Sequence, residues 1–453
     1  MTETITAVPS PTGDPDPVAV GDAAVGAGAG AEVKRSGGRM EFLDALRGVA
    51  AMIVVFQHTL EQLSLRYRRL TQVWIRPGEV GVVLFFLCSG FIIPASIERY
   101  RSVKRFWIGR LFRLFPVYWA AMIAAFTLSH YFHRYPLPPA TDGHLHYVIT
   151  NAVMVTQMMR APMFAGSIWS LAYEMVFYLF MTALFVAGVH RRSVPLAGVA
   201  LAVTVAVGAF KVDAFASITD QGAVGVAWMV GSFLVILVAL LIFGRLTVPR
   251  TVAVAALLAV CIPLVADRRD ALWFGALLFA TMFVGTVLYR AVQGETTWAT
   301  ARWVVGAYTV VTLFVMWRAT IEWADPVTFA RINWRSESAT FLGAMAIFLV
   351  GLALRNRSFP WIAAELGRIS YSVYLIHPLV LYGIHPIEGH KALTEVIWVV
   401  VTVLVSMVTY RLIEKPFIDL GRKASARWGG PRTPSAASPT PAPVLTEAAP
   451  VGS

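Results

Sequence analysis

The chain has 453 residues, 57% hydrophobic and only 14% charged, with a mean hydropathy of +0.65. That balance excludes a soluble globular domain and defines an all-α polytopic membrane protein. The net charge is +12, but the basic residues fall between apolar segments, where they set orientation in a bilayer, so nucleic acid is not among the expected partners.

Residues 1–38 are rich in Gly, Ala, Pro and Asp and lack a long apolar core. They read as a disordered cytoplasmic tail rather than a signal peptide. A Pro/Ala/Ser-rich tail occupies 419–453, leaving one membrane domain over 39–418. Cys88 and Cys261 both sit in apolar segments, which argues against a disulfide framework or a Cys-based zinc site.

A bilayer core takes roughly 20 apolar residues per helix, and on that measure a bundle of 10–12 transmembrane helices is predicted. The spans fall near 42–63, 79–97, 106–130, 168–189, 194–211, 223–243, 250–266, 271–290, 302–319, 339–354, 369–386 and 395–413. The fifth, seventh and tenth are short enough to be partial. With both termini cytoplasmic, every inner loop is basic, as a multi-pass protein of the cell membrane requires. One outer loop disobeys, because Arg66, Arg68, Arg69 and Arg76 follow the first span. Either it dips back toward the bundle or its arginines meet lipid headgroups or an anionic ligand.

The first span, EFLDALRGVAAMIVVFQHTLEQL, carries Arg47 and His58. Eleven residues make about three turns, so the two share a face roughly 16 Å apart, one near a membrane edge and the other deep. An ionisable group at depth points to function, and imidazole exchanges protons near neutral pH. The alternative is a histidine satisfied by a neighbouring helix. After the second span, with its small-residue turn Cys88, Ser89, Gly90, comes RFWIGRLFRLFPVYW. Its Arg110 and Arg113 share a helical face, and guanidinium forks suit the phosphates of a nucleotide-bearing donor as well as lipid headgroups.

The fourth span opens GSIWSLAYEMVFYLF, with Trp169 and Ser170 at its start and Glu174 and Tyr178 one turn apart. A carboxylate at that depth needs a partner, and Glu174 with His58 would make an acid/base pair; a structural partnership with an arginine is the other reading. Late in the chain, ELGRISYSVYLIHPLV puts Ser370, Tyr374 and His377 on one face, and Pro378 is predicted to kink the helix. His377 reads as packing or substrate lining. Glu414 and Lys415 in the closing RLIEKPF read as interfacial anchors. His144 and His146 in an outer loop have only Asp142 beside them, so no metal is expected.

These stretches together resemble acyltransferase family 3, a family of integral-membrane enzymes. The resemblance rests on Arg47 and His58 with ten residues between them, GVVLFFLCSGFII, RFWIGRLFRLFPVYW, IWSLAYEMVFYL, FVGTVLYR, LGRISYSVYLIHP and RLIEKPF, in that order over about 39–418. It implies transfer of an acyl group, commonly acetyl from acetyl-CoA, to a hydroxyl of a sugar, a cell-envelope glycan or a small natural product. It also implies that His58 is the essential histidine with Arg47 its partner, that Arg110 and Arg113 lie near the donor phosphates, and that the family's Trp-Ser-Leu-x-x-Glu pattern falls on Trp169, Ser170, Leu171 and Glu174. Val82 to Leu84 and Cys88 depart from the usual pattern, and the soluble esterase-like domain that many relatives append is not seen here. The competing class is a transporter with Arg47, His58 and Glu174 as a relay; it would turn over no bond.

Overall fold

In the computed structural model, residues 40–135, 151–154, 166–210, 272–319, 323–324 and 331–428 are described. Twelve α-helices are found among them: α1 Glu41–Leu63, α2 Leu65–Val73, α3 Pro77–Tyr100, α4 Val103–His130, α5 Trp169–Val186, α6 Ser193–Phe210, α7 Leu272–Val292, α8 Trp298–Ala319, α9 Trp334–Ala353, α10 Trp361–Gly383, α11 Lys391–Thr409 and α12 Lys415–Trp428. A two-residue antiparallel pair, Trp323–Ala324 with Arg331–Ile332, lies between α8 and α9. Eight helical stretches among the described residues are long and apolar enough to cross a membrane. The protein is an all-α polytopic membrane protein. The predicted spans at 223–243 and 250–266 lie outside the described residues.

Local chemistry explains the boundaries. Ser64 and Ser102 cap α2 and α4 by accepting from the backbone N–H groups of Tyr67 and Arg105. Asn333 and Ser336 form a reciprocal capping box at the start of α9. Pro77 begins α3, where its missing N–H costs nothing, and Arg101 in the left-handed region, φ 49°, turns the chain into α4. The helix α7 is buried on all sides from Gly275 to Ala291, the mark of a central helix. At the periphery, Trp303, Val310 and Trp317 of α8 point outward, as apolar residues do where lipid replaces water.

Lipid tails are as apolar as leucine, so these helices associate through close packing and hydrogen bonds rather than through burial from water. The tightest seam joins α1 to α10, which run in parallel. A Cβ on Gly367 would fall 1.8 Å from the Asp44 carbonyl oxygen, and one on Gly48 would fall 2.8 Å from the Gly367 nitrogen. The Cys88–Gly90 run is not a turn. It lies inside α3, where the Thr286 hydroxyl of α7 donates to the Gly90 carbonyl at 2.9 Å.

Three boundaries differ from expectation. The disobedient outer loop is largely the helix α2; Arg66 and Arg69 are exposed, while Arg76 turns inward to pair with Glu79 and with Glu337, 2.8 Å away. The helix α10 starts eight residues before the predicted span at 369. Helical structure also continues ten residues past the boundary at 418: α11, a single π-helical turn Tyr410–Glu414 and α12 run on to Trp428.

Candidate active site

The α1–α10 seam decides what meets farther along both helices. His58 and His377 stack, with ring centroids 5.3 Å apart and planes 15° apart. His377 is 1% exposed, and its Nδ1 lies 3.2 Å from the Val373 carbonyl oxygen. A carbonyl can only accept, so Nδ1 carries the proton and Nε2 keeps its lone pair. Pro378 lacks the N–H that would close on Tyr374, loosening the helix beside these rings.

His58 itself is 47% exposed at the side chain, and its Nδ1 lies 3.8 Å from Glu61 Oε2. One of Arg47 and His58 was expected near a membrane edge and the other deep. Instead Arg47 stands six residues inside one end of α1 and His58 five inside the other.

A slot of about 40 Å³ opens among α1, α3, α5 and α10, lined by Arg47, Ser89, Ser170, Glu174, Tyr371 and Tyr374 with Val82, Phe85, Phe86 and Leu171. That is room for about three waters, so a substrate arm enters only if side chains move. Its polar wall is connected. Ser89 and Tyr178 donate to the same Glu174 oxygen at 2.8 and 2.5 Å. Ser170 bonds the Tyr374 hydroxyl at 2.8 Å, and that hydroxyl donates to the Ser167 carbonyl at 2.6 Å. The Tyr374 ring centroid is 6.0 Å from that of His377. A row of groups therefore runs from Arg47 and Glu174 through Ser170, Tyr374 and His377 to His58.

The arginines meet at the other end of this row. Arg47 is within electrostatic reach of Arg113, Glu174 and Asp44. Arg110 lies over the rings of Tyr178 and Phe106, 5.0 and 5.3 Å from the centroids, a cation–π seat that holds it near the Glu174 cluster. Tyr178 is fully buried and Trp169 packs on Tyr173 and Phe274; neither lines the slot.

Other residues of the site were missed from sequence. Ser89, Tyr371 and Glu414 are the main ones. Glu414 is no interfacial anchor: it is 1% exposed, accepts from Ser372 at 2.7 Å and lies within reach of Arg113 and Arg47. The π turn, which inserts one residue into the helical register, aims it inward. Glu174, expected to pair with His58, instead accepts from Ser89 and Tyr178. The carboxylate beside His58 is Glu61. Among the described residues, no group of three His, Cys, Asp or Glu is placed to hold a metal.

The helical bundle of this polytopic membrane protein thus lines up guanidinium groups, a carboxylate, hydroxyls and two imidazoles. The family model described as an acyltransferase domain, that of acyltransferase family 3, matches residues 40–411, and the chain belongs to that family.

Similar proteins include ORF330 of Acidianus two-tailed virus, 31% identical over 152 residues, 33% of this chain and 40% of that protein. The peptidoglycan O-acetyltransferase OatA of Listeria monocytogenes is 28% identical over 155 residues, 31% of this chain and 23% of its own. The acyltransferase MdmB of Streptomyces mycarofaciens is 25% identical over 150 residues, 31% of this chain and 38% of its own. This chain spans less than half the length of each of these three relatives. No solved structure matches it significantly.

Proposed function

We propose that this chain is an O-acyltransferase of the cell membrane that takes an acyl group, commonly acetyl, from acyl-CoA and passes it to a hydroxyl of a sugar, a cell-envelope glycan or a small natural product. The observation that carries this reading is the row of polar groups joining the arginine-lined slot to a half-exposed imidazole. The names of OatA and MdmB, an O-acetyltransferase of peptidoglycan and an acyltransferase, support it.

In this reading the arginine end faces the cytoplasm, where CoA is available, and both termini lie on that side. Arg110 and Arg113 receive the phosphates of the donor, and Arg47, balanced by Glu174 and Asp44, guides the pantetheine arm along α1. Arg47 and His58 are roughly 16 Å apart along the helix, a span suited to a long flexible arm. Trp169, Tyr178 and the Glu174 cluster keep the slot in shape. Ser170, Tyr374 and His377 line the path.

A thioester carbonyl is already activated, whereas an alcohol is a poor nucleophile until a base takes its proton. His58 takes the acceptor's hydroxyl proton, the oxygen attacks the thioester carbon, and the C–S bond breaks. The imidazolium then returns the proton to the leaving thiolate, so free CoA and an ester are the products and His58 is restored.

The test is acetyl-CoA carrying a labelled acetyl group, given to washed membranes supplemented with clarified cell extract. Free CoA and labelled ester are expected in equal amounts, with His58→Ala reducing both to background. Unchanged transfer by His58→Ala would refute the assignment.

A further inference from the structure

Glu61 stands one helical turn beyond His58 on α1 and was not among the residues that the sequence singled out. One of its oxygens is tied down: Oε1 accepts from the Gln57 amide and lies 3.4 Å from the Thr71 hydroxyl of α2. Gln57 in turn sits 3.4 Å from the same hydroxyl. Gly78 at the start of α3 leaves it room, because a Cβ there would lie 2.9 Å from the Gln57 Cγ. The other oxygen, Oε2, faces His58 Nδ1 at 3.8 Å. Arg68 and Arg76 lie within electrostatic reach of the carboxylate. The site thus holds a carboxylate anchored through one oxygen and turned toward the imidazole through the other.

Resting on the acyltransferase reading, we propose that Glu61 is the positioning residue of His58. It keeps the proton on Nδ1, leaves Nε2 to accept the proton of the acceptor hydroxyl, and stabilises the imidazolium until the thiolate takes that proton back. The 3.8 Å separation is an ion-pair distance that a small rotation of either side chain closes when substrate binds. His377 stacks on the imidazole, and its own Nδ1 proton is committed to Val373, so it has no proton to offer His58 through that nitrogen.

A purely structural role would be to pin α2 onto α1 through Thr71, and the experiment separates the two. Glu61→Gln keeps the shape and an oxygen for Gln57 and Thr71 but removes the charge, and Glu61→Asp keeps the charge. Full-length variants are compared in the same membrane assay with labelled acetyl-CoA, after size-exclusion profiles confirm folding. Glu61→Gln is expected to lower kcat by about 100-fold and to leave the KM for acetyl-CoA within about twofold of the parent. Glu61→Asp is expected to retain more turnover than Glu61→Gln. Parental kcat in Glu61→Gln, or the reverse order of the two variants, overturns this role while leaving the acyltransferase reading in place. No thioester turnover by the parent protein overturns both.

Discussion

The α1–α10 seam makes a quantitative demand. Gly367→Ala places a methyl carbon 1.8 Å from the Asp44 carbonyl oxygen, whereas real Cβ contacts essentially never fall under 3.0 Å. The two helices must therefore part by about 1.2 Å. Neither partner can give way, because both are helix backbone. Overpacking of this kind costs about 1–3 kcal/mol, which is small enough for the bundle to survive. The site is less forgiving, since a displacement of about 1 Å costs on the order of 100-fold in rate. Gly48→Ala, whose Cβ would meet Gly367 at 2.8 Å, falls short by only a few tenths of an ångström and is expected to lose far less. Gly306→Ala on α8 meets nothing within 4 Å and serves as the control. The measurement is labelled acetyl transfer in membranes, set beside melting of the detergent-solubilised protein. Parental turnover in Gly367→Ala, or a larger loss in Gly48→Ala, would refute the claim that this contact sets the position of the imidazoles.

Two further expectations concern the opposite end of the bundle. Arg290 of α7 is 2% exposed and holds Glu98 of α3 through both carboxylate oxygens, with Glu295 at 2.9 Å and Ser193 at 3.3 Å; Arg290→Met leaves Glu98 poorly matched and is expected to cost about 3 kcal/mol, read as a lowered melting temperature. His190, between α5 and α6, lies 3.4 Å from Glu98, and burial pushes its pKa down against the opposing pull of Glu98, with Arg290 and Arg191 adding to the decrease. Below about pH 6.5 the unfolded chain binds a proton that the folded chain refuses, so stability falls as the pH drops through that value; His190→Asn is expected to flatten the melting temperature between pH 7.5 and 5.5, and an unchanged slope would contradict it.

Most of the helices were legible because a membrane imposes a simple length and composition on each one. The start of α10 was not, since WIAAELGR carries too much polarity to read as a span although the bundle covers part of it. LRYRRLTQV reads as a charged loop, and only the Ser64 cap and its neighbours show that it is α2. Candidate site residues stood out where an ionisable group lies inside an apolar run, as with Arg47, Glu174 and His58. Which of them meet was not legible, because helical periodicity fixes the face of one helix but not how two helices are turned toward each other. Hence Glu174 was matched with His58, whereas its bonds go to Ser89 and Tyr178. Glu61 was passed over and Glu414 read as an interfacial anchor for a related reason: near the end of a span, a carboxylate looks like a tether to water.

The final helix has its own consequence. From Lys391 to Trp428 it runs for 38 residues, about 57 Å at 1.5 Å per residue, against a hydrocarbon thickness of about 30 Å. It is therefore longer than a bilayer core is thick, and Lys415, Lys423 and Arg427 are exposed along its far part. Gly421 in that far part beds against Phe112, between Arg110 and Arg113 in sequence. One flank of the arginine cluster is thus walled by this helix, and an anion drawn to those guanidinium groups would have to approach from the other.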